Sequence, residues 1–251
     1  LNFNMARTIG PAIGGWIIAT YDASTALWVV VACSLPMQLV LPQIAPRAPK
    51  ARAEESGVIA GLRAGLQTAW TDRFIRRVLI LTGAFSLGAR GILELLPKIA
   101  DGLFERGAAG LGTLTSAAGF GALIAAALVA LLPKAPPRQI PVAGWIALIA
   151  SVALTLLVAH SGLWPLTLAA TALLGATGTL VGVTMQIAVQ TVLEDRTRGR
   201  LMSLWAMTGI GGAALGALLI GGLADAVGLG PATLLMYGTL GALLLLNRAR
   251  L

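Results

Sequence analysis

The chain has 251 residues, of which 57% are hydrophobic and only 11% charged. A soluble domain usually carries about 25% charged residues to solvate its surface, so this composition, with a mean hydropathy of +0.86, excludes a water-soluble enzyme and a disordered chain. The net charge of +8 reads as basic loops of a membrane protein rather than as a nucleic-acid surface, because Lys and Arg collect in short cytoplasmic loops.

Eight apolar stretches follow one another, at about residues 3–20, 24–43, 78–97, 110–132, 142–159, 163–191, 201–223 and 230–247. About 20 residues rising roughly 1.5 Å each cross a hydrocarbon core of about 30 Å, so each stretch predicts one transmembrane helix. The sixth is too long for a straight crossing, and tilt or an extension past the membrane surface absorbs the excess.

The first stretch carries Arg7 and the run Gly10-Pro11-Ala12-Ile13-Gly14-Gly15. Small residues let a neighbouring backbone approach, and Pro11 removes a backbone donor and bends the helix. Arg7 lies roughly 10 Å into the stretch, where it either snorkels to the surface or meets other helices. After the second stretch comes the one long linker, 44–77. Its opening, with Pro46 and Pro49, is extended in character. Val58 to Trp70 then spaces Ile59, Leu62, Leu66, Ala69 and Trp70 as an amphipathic helix, expected at the headgroup surface among Arg63, Arg73, Arg76 and Arg77.

Arg90 and Glu94 in the third stretch are the sharpest polar signal. Four residues apart, they fall on one face of a regular helix. A lone Arg at mid-membrane costs roughly 2.5–3.5 kcal/mol, and an i, i+4 pair recovers only about 0.2–0.5 kcal/mol in water. Two readings stand. In one, both groups face a wet cavity and Glu94 exchanges a proton with its affinity lowered by Arg90. In the other, the pair snorkels to the outer interface and anchors the helix.

The sixth stretch places Gln186 and Gln190 on one face, with Thr179 and Thr184 on nearly the same side; such residues glue helices or line a cavity. Glu194 to Arg200 reads as a loop, and Gly209, Gly211, Gly212 and Gly216 give the seventh stretch a smooth face. Trp16, Trp28, Trp145, Trp164 and Trp205 mostly lie near stretch ends, as interfacial anchors do, and His160 reads as a solvated loop residue. One cysteine, Cys33, and one histidine cannot build a disulfide or a Cys/His metal site. No catalytic residues, cofactor or metal are predicted.

Orientation follows from the basic residues. With 44–77 cytoplasmic, alternation places 14 of the 18 basic residues on that side, an asymmetry that fixes topology. Both ends of the chain are then expected in the cytoplasm. Shifting the chain by 202 residues lays Gly10-Pro11-Ala12-Ile13-Gly14 over Gly212-Ala213-Ala214-Leu215-Gly216, and Asp22 falls beside Asp225. Parallel repeats of this kind fit a carrier of two similar halves. If the first stretch equals the seventh, six helices make one half and four helices are expected before Leu1. The expected domains are then 1–43, the last two helices of the first half; 44–77, a cytoplasmic linker; and 78–251, the second six-helix half.

Three stretches resemble the major facilitator superfamily, in its enterobactin-exporter-like efflux branch. Asn4 to Gly15 resembles the family's fifth helix with its Gly-Pro-x-x-Gly-Gly antiporter-type motif, here Gly10, Pro11, Gly14 and Gly15 after Arg7. Glu194 to Leu204, with Asp195, Arg198, Gly199 and Arg200, resembles the cytoplasmic loop between helices ten and eleven. The linker 44–77 sits where the family joins its halves. The resemblance implies an all-α integral membrane bundle, helices five to twelve of twelve, and a first-span motif that limits leak and favours export. One departure stands out: the family's acid-bearing loop between helices eight and nine is here Lys134-Ala135-Pro136-Pro137-Arg138, which lacks the acid.

The expectation is therefore a monomeric, multi-pass inner-membrane carrier that exports a small organic molecule against protons by alternating access. Its partners are the substrate, protons and the bilayer, with no nucleic acid. No Gly-x-x-x-x-Gly-Lys-Ser/Thr segment is present to cradle ATP. The rival is a membrane scaffold or sensor of carrier ancestry that transports nothing.

Overall fold

The computed structural model describes residues 20–43, 58–129, 136–193 and 195–246, together with 17 and 131. Arg7 and the Gly10–Gly15 motif lie outside the described residues, as does most of the first expected stretch. Every element in the described part is helical, as apolar runs in lipid require, because only internal hydrogen bonding satisfies the backbone there.

Helix α1, Ala23–Val40, starts where the Asp22 carboxylate accepts the Thr25 amide proton at 2.6 Å, and from Ser24 onward it buries none of its residues. Helix α2, Val58–Thr71, is the expected linker helix. Its stripe divides: Ala69 is buried in the core, whereas Leu66 and Trp70 stay exposed. Gly65 faces Arg200, so α2 packs on the start of a later helix and does not lie free on a surface.

The third stretch departs most from expectation. Helix α3, Arg73–Glu94, is followed after a 43° bend by α4, Leu96–Leu103. Within α3 the turn Ser86–Arg90 is π-helical, and α4 ends in a second π turn, Ile99–Leu103. Pro97 accounts for the bend, since it has no amide proton to continue the ladder and its ring clashes with the preceding turn.

Helices α5, Gly107–Val129; α6, Val142–His160; α7, Trp164–Gln190; and α8, Asp195–Val227, are each long and apolar enough to span a bilayer. Helix α9, Leu229–Leu246, is shorter; Gly228, at φ +87°, turns the chain into it, a conformation open to glycine at little cost. With α1, five helices pass the length test among the described residues, and six if the bent α3–α4 pair is one span. Helix α8 begins at Asp195 and runs 33 residues, roughly 50 Å. The stretch expected as a loop from Glu194 to Arg200 is thus mostly its first two turns, projecting beyond any hydrocarbon core.

Helix α7 lies between α5 and α6, α8 between α3 and α9, and contacts of α3 with α7 and of α9 with α6 close the bundle. One core runs through it, including Val78, Ile92, Leu114, Leu174, Met185 and Ile220. The protein is an all-α integral membrane bundle.

Candidate functional site

Two helix crossings in the bundle are made by glycine. At the first, a Cβ on Gly121 of α5 would collide with the Ala172 carbonyl, and one on Gly175 of α7 with the Ala118 carbonyl. At the second, a Cβ on Gly216 of α8 would strike the Leu87 carbonyl, one on Gly91 of α3 would come within 2.9 Å of the Gly216 backbone, and one on Gly212 within 2.9 Å of the Ser86 Cβ. The spacing Gly209, Gly212, Gly216 is i, i+3, i+7, which keeps all three on one helix face. Gly211 is off that face and meets nothing within 4 Å.

The second crossing is where the π turn sits. Thr82 and Ser86 are buried there, and neither hydroxyl has a hydrogen-bond partner among the described residues. The carbonyls of Thr82 and Gly83 are already taken by the Ser86 amide. Arg90 ends the turn and is half-buried. A Cβ on Gly209 would lie 3.9 Å from its guanidinium nitrogen, so the side chain runs back along α8 towards the start of that helix. That direction is the natural one, since helix side chains lean towards their own N-terminus.

Glu94, one turn further on, is exposed, and no ion pair within 4 Å joins it to Arg90 among the described residues. The two are neighbours on α3 without being partners. A guanidinium without a partner at the centre of a bilayer costs roughly 2.5–3.5 kcal/mol unless water or an anion reaches it.

Gln186 and Gln190 lie elsewhere. Helices α3 and α7 meet where Phe85 touches the Gly178 position, at 3.8 Å. From there Arg90 is about 8 Å along α3 in one direction, and Gln186 about 12 Å along α7 in the other. Both glutamines are half-buried, but they form a separate polar level nearer the face that carries Arg73, Arg77, Arg198 and Arg200. Arg198, Gly199 and Arg200 are exposed there; the Asp195 side chain lies outside the described part.

Ion pairs mark both ends of the bundle. On the arginine-rich face, Asp72 caps α3 through the amides of Phe74 (2.9 Å) and Ile75 (3.2 Å), while Arg138 donates to both its oxygens, at 3.3 and 2.9 Å. Burial pushes Asp72 up, but Arg138 and the two amides outweigh it and hold the carboxyl below its ordinary value. Arg138, in the loop before α6 that carries no acid of its own, thus pairs across space with Asp72. At the opposite end Lys98 of α4 pairs with Asp225 of α8 at 2.5 Å and donates to the Gly221 carbonyl. Nearby, Arg106 lies over the Trp164 ring, 4.5 Å from its centroid, and Phe104 meets the same ring edge-on. His160 is exposed beside its own helix carbonyl, Leu156.

The described residues form a membrane bundle with a half-buried arginine, in no ion pair among them, at a glycine-lined helix break. The chain belongs to the transmembrane secretion effector family of the major facilitator superfamily, whose model matches residues 1–250. It is similar to the multidrug efflux pump Tap of Mycolicibacterium fortuitum, 28% identical over 235 residues that make up 90% of this chain and 56% of the pump. The Tap pump of Mycobacterium tuberculosis H37Rv is 25% identical over 232 residues, 90% of this chain and 54% of the pump. The enterobactin exporter EntS of Shigella flexneri is 28% identical over 230 residues, 89% of this chain and 52% of the exporter. The chain spans about half the length of these relatives. No solved structure matches it.

Proposed function

We propose that the protein exports a small organic molecule by secondary transport with alternating access, driven by protons entering through Glu94. Residues 1–43, 44–77 and 78–251 are then the end of one half, a linker and a second half, with both ends of the chain in the cytoplasm of an inner-membrane carrier. The relatives' names supply the direction of transport, and the 202-residue repeat supports the two halves.

The observation that carries the reading is Arg90: a charge held half-buried beside Gly209, in no ion pair among the described residues, one turn from an exposed acid on the same helix. Such a cation attracts an anionic group of a substrate, and Glu94 one turn further on is the acid offered to the proton. Gly212 and Gly216 let the broken α3 slide on α8 without side chains in the way. Gln186 and Gln190 supply neutral hydrogen bonds at the other polar level. Arg198 and Arg200 at the start of α8, together with the Asp72–Arg138 link, brace the cytoplasmic ends.

The test is transport of a panel of lipophilic dyes by the full-length protein in proteoliposomes, with an internal pH indicator. Glu94→Gln is expected to abolish dye-dependent proton flux while the protein still folds. Unchanged proton flux in that variant would remove Glu94 from the mechanism.

A further inference from the structure

The first and last residues of the π turn, Ser86 and Arg90, both point at α8. A Cβ on Gly212 would lie 2.9 Å from the Ser86 Cβ, and one on Gly209 would lie 3.9 Å from Arg90 Nη1. Gly209 and Gly212 share a helix face and stand roughly 4.5 Å apart along the axis. The two helices run parallel, since Gly83 meets Thr208 and Gly91 meets Gly216. Ser86 precedes Arg90 on α3, yet the guanidinium reaches the earlier of the two glycines. The arginine side chain has therefore run back past the serine, and cation and hydroxyl lie on one short stretch of α8.

Among the described residues neither group has its complement. Ser86 is 1% exposed and its hydroxyl makes no hydrogen bond, and Arg90 is in no ion pair. Glu94 lies one turn further along α3, in the direction the guanidinium leaves. A buried hydroxyl and a cation in hydrocarbon each cost free energy until an acceptor reaches them. A guanidinium only donates, and a serine hydroxyl has one proton to give. The missing group is thus an acceptor with negative charge and more than one oxygen. Gly209 and Gly212 put no side chain in its way, and Ile210, exposed beside Gly209, offers carbon to whatever the anion is attached to.

We propose that Arg90 and Ser86 form an anion subsite, and that the exported molecule is an organic anion, a carboxylate or sulfonate on an apolar body. The guanidinium takes the charge in a two-pronged contact, and the hydroxyl donates to the same group. Arg90 is half-buried and meets the anion first; Ser86 is closed against Gly212 in this structure, and its hydrogen bond forms as the glycine seam parts. This names the cargo class of the site described above. Its role in transport rests on the export reading, whereas binding of the anion does not.

The probes are three dyes with one aromatic body: pyrenebutyrate, its neutral amide, and the cationic pyrenebutylamine. Binding to the full-length protein in phosphatidylcholine nanodiscs is titrated by fluorescence, with empty nanodiscs subtracted. Pyrenebutyrate should bind about tenfold or more tightly than the amide, the worth of a hydrogen bond to a charged group, and the amine should bind most weakly. Arg90→Gln should bring the butyrate down to the amide's affinity and leave the amide unchanged. Arg90→Lys, which keeps the charge but not the fork, should keep part of the preference. Ser86→Ala should weaken butyrate binding about twofold to tenfold without touching the amide. The measured quantity is the ratio of two dyes on one sample, so a poorly folded variant lowers both and does not mimic the result.

Equal binding of butyrate and amide, a preference for the amine, or no binding of any dye overturns the proposal. So does a butyrate preference that survives Arg90→Gln. Two further arms separate other sources of the anion. Displacement of pyrenebutyrate by inorganic phosphate makes this an inorganic-anion site, and loss of the preference in phosphatidylglycerol nanodiscs makes it a lipid-headgroup site; either overturns the organic cargo. Efflux from proteoliposomes separates the two ideas. Equal efflux of butyrate and amide leaves the exporter and removes the subsite, whereas selective binding without efflux keeps the subsite and removes the exporter.

Discussion

The two glycine crossings use the same device for different ends. At α5–α7 the helices are regular, the contact is backbone against small residues, and the hydroxyls of Thr113, Thr115, Thr167, Thr171, Thr177 and Thr184 all donate to carbonyls of their own helix. Only Ser116 breaks the pattern there. At α3–α8 one partner is broken by a π turn, Thr82 and Ser86 are left unpaired, and a charged side chain sits at the seam. Isolated π turns cluster at functional sites. Close packing by glycine is therefore not itself the sign of a working surface; unsatisfied polar groups beside it are. On the export reading proposed above, the first crossing is a fixed post and the second is the one that changes.

The largest effect should come from filling the first crossing. Gly175→Ala drives a methyl group into a carbonyl that two regular helices hold in place, and overpacking of this kind costs about 1–3 kcal/mol or more. Thermal unfolding in detergent should show a clear fall in Tm and poor yield. Gly216→Ala meets the Leu87 carbonyl just as closely, but that carbonyl belongs to an irregular turn with room to adjust. Its Tm should fall less while transport falls at least tenfold. Equal losses of Tm in the two variants would erase the distinction.

Next in size is Arg90→Met. Arg90 has no ion pair among the described residues, so removing its charge should relieve part of the roughly 2.5–3.5 kcal/mol that a mid-membrane Arg costs. The variant should be as stable as the parent or more so, with transport lost. A destabilised Arg90→Met would mean that the guanidinium has a structural partner. Ser86→Ala sharpens the same point at smaller scale. The lost hydroxyl had no bond to lose, so the change should be neutral or slightly stabilising, whereas Thr171→Val at the other pair should cost about 0.5–1.5 kcal/mol, the net worth of one hydrogen bond.

How much of this was legible in the sequence depends on which property each residue reports. Hydropathy counts carbon, so the stretches that became α1, α3 and α5 to α9 were readable, as were the α2 helix and the asymmetry of basic residues, whereas α4 falls where a loop was expected. Backbone geometry leaves no hydropathy trace: the π turn at Ser86–Arg90 interrupts an apolar run without changing its composition, and Gly88 and Gly91 were its only written signals. The Gly212–Gly216 face was expected because it echoes Gly10–Gly14. Gly121 and Gly175 have no such echo and went unnoticed, although a partner carbonyl waits on each. The shared helix of Arg90 and Glu94 was readable, but spacing on one helix does not say where a long side chain leans, and the two form no ion pair among the described residues. The glutamines share a face as expected, but depth along a different helix separates them from Arg90. Asp72 was invisible as a partner of Arg138, since the two stand 66 positions apart in the chain.

The smallest expected effect belongs to that link, which braces the end of α3 away from the π turn. Arg138 is largely exposed and Asp72 mostly shielded, with side-chain exposures of 59% and 20%, so the ion pair contributes at most about 1 kcal/mol, and the helix cap about another. Asp72→Asn keeps a capping oxygen and loses only the charge, so it should lower stability by a few tenths of a kcal/mol, while Asp72→Ala loses both. The pH dependence has a definite sign. The native carboxyl titrates below its ordinary value of 3.8, so the unfolded chain takes up the proton first. The stabilisation is then fully present above that value and is lost as pH falls through the lower native one. Unfolding measured from pH 7 down to pH 3 should converge for parent and Asp72→Asn only at the acid end. If the two already coincide at neutral pH, the Asp72–Arg138 contact carries no stability, and the basic end of α3 is held by its packing against α2 and α8 alone.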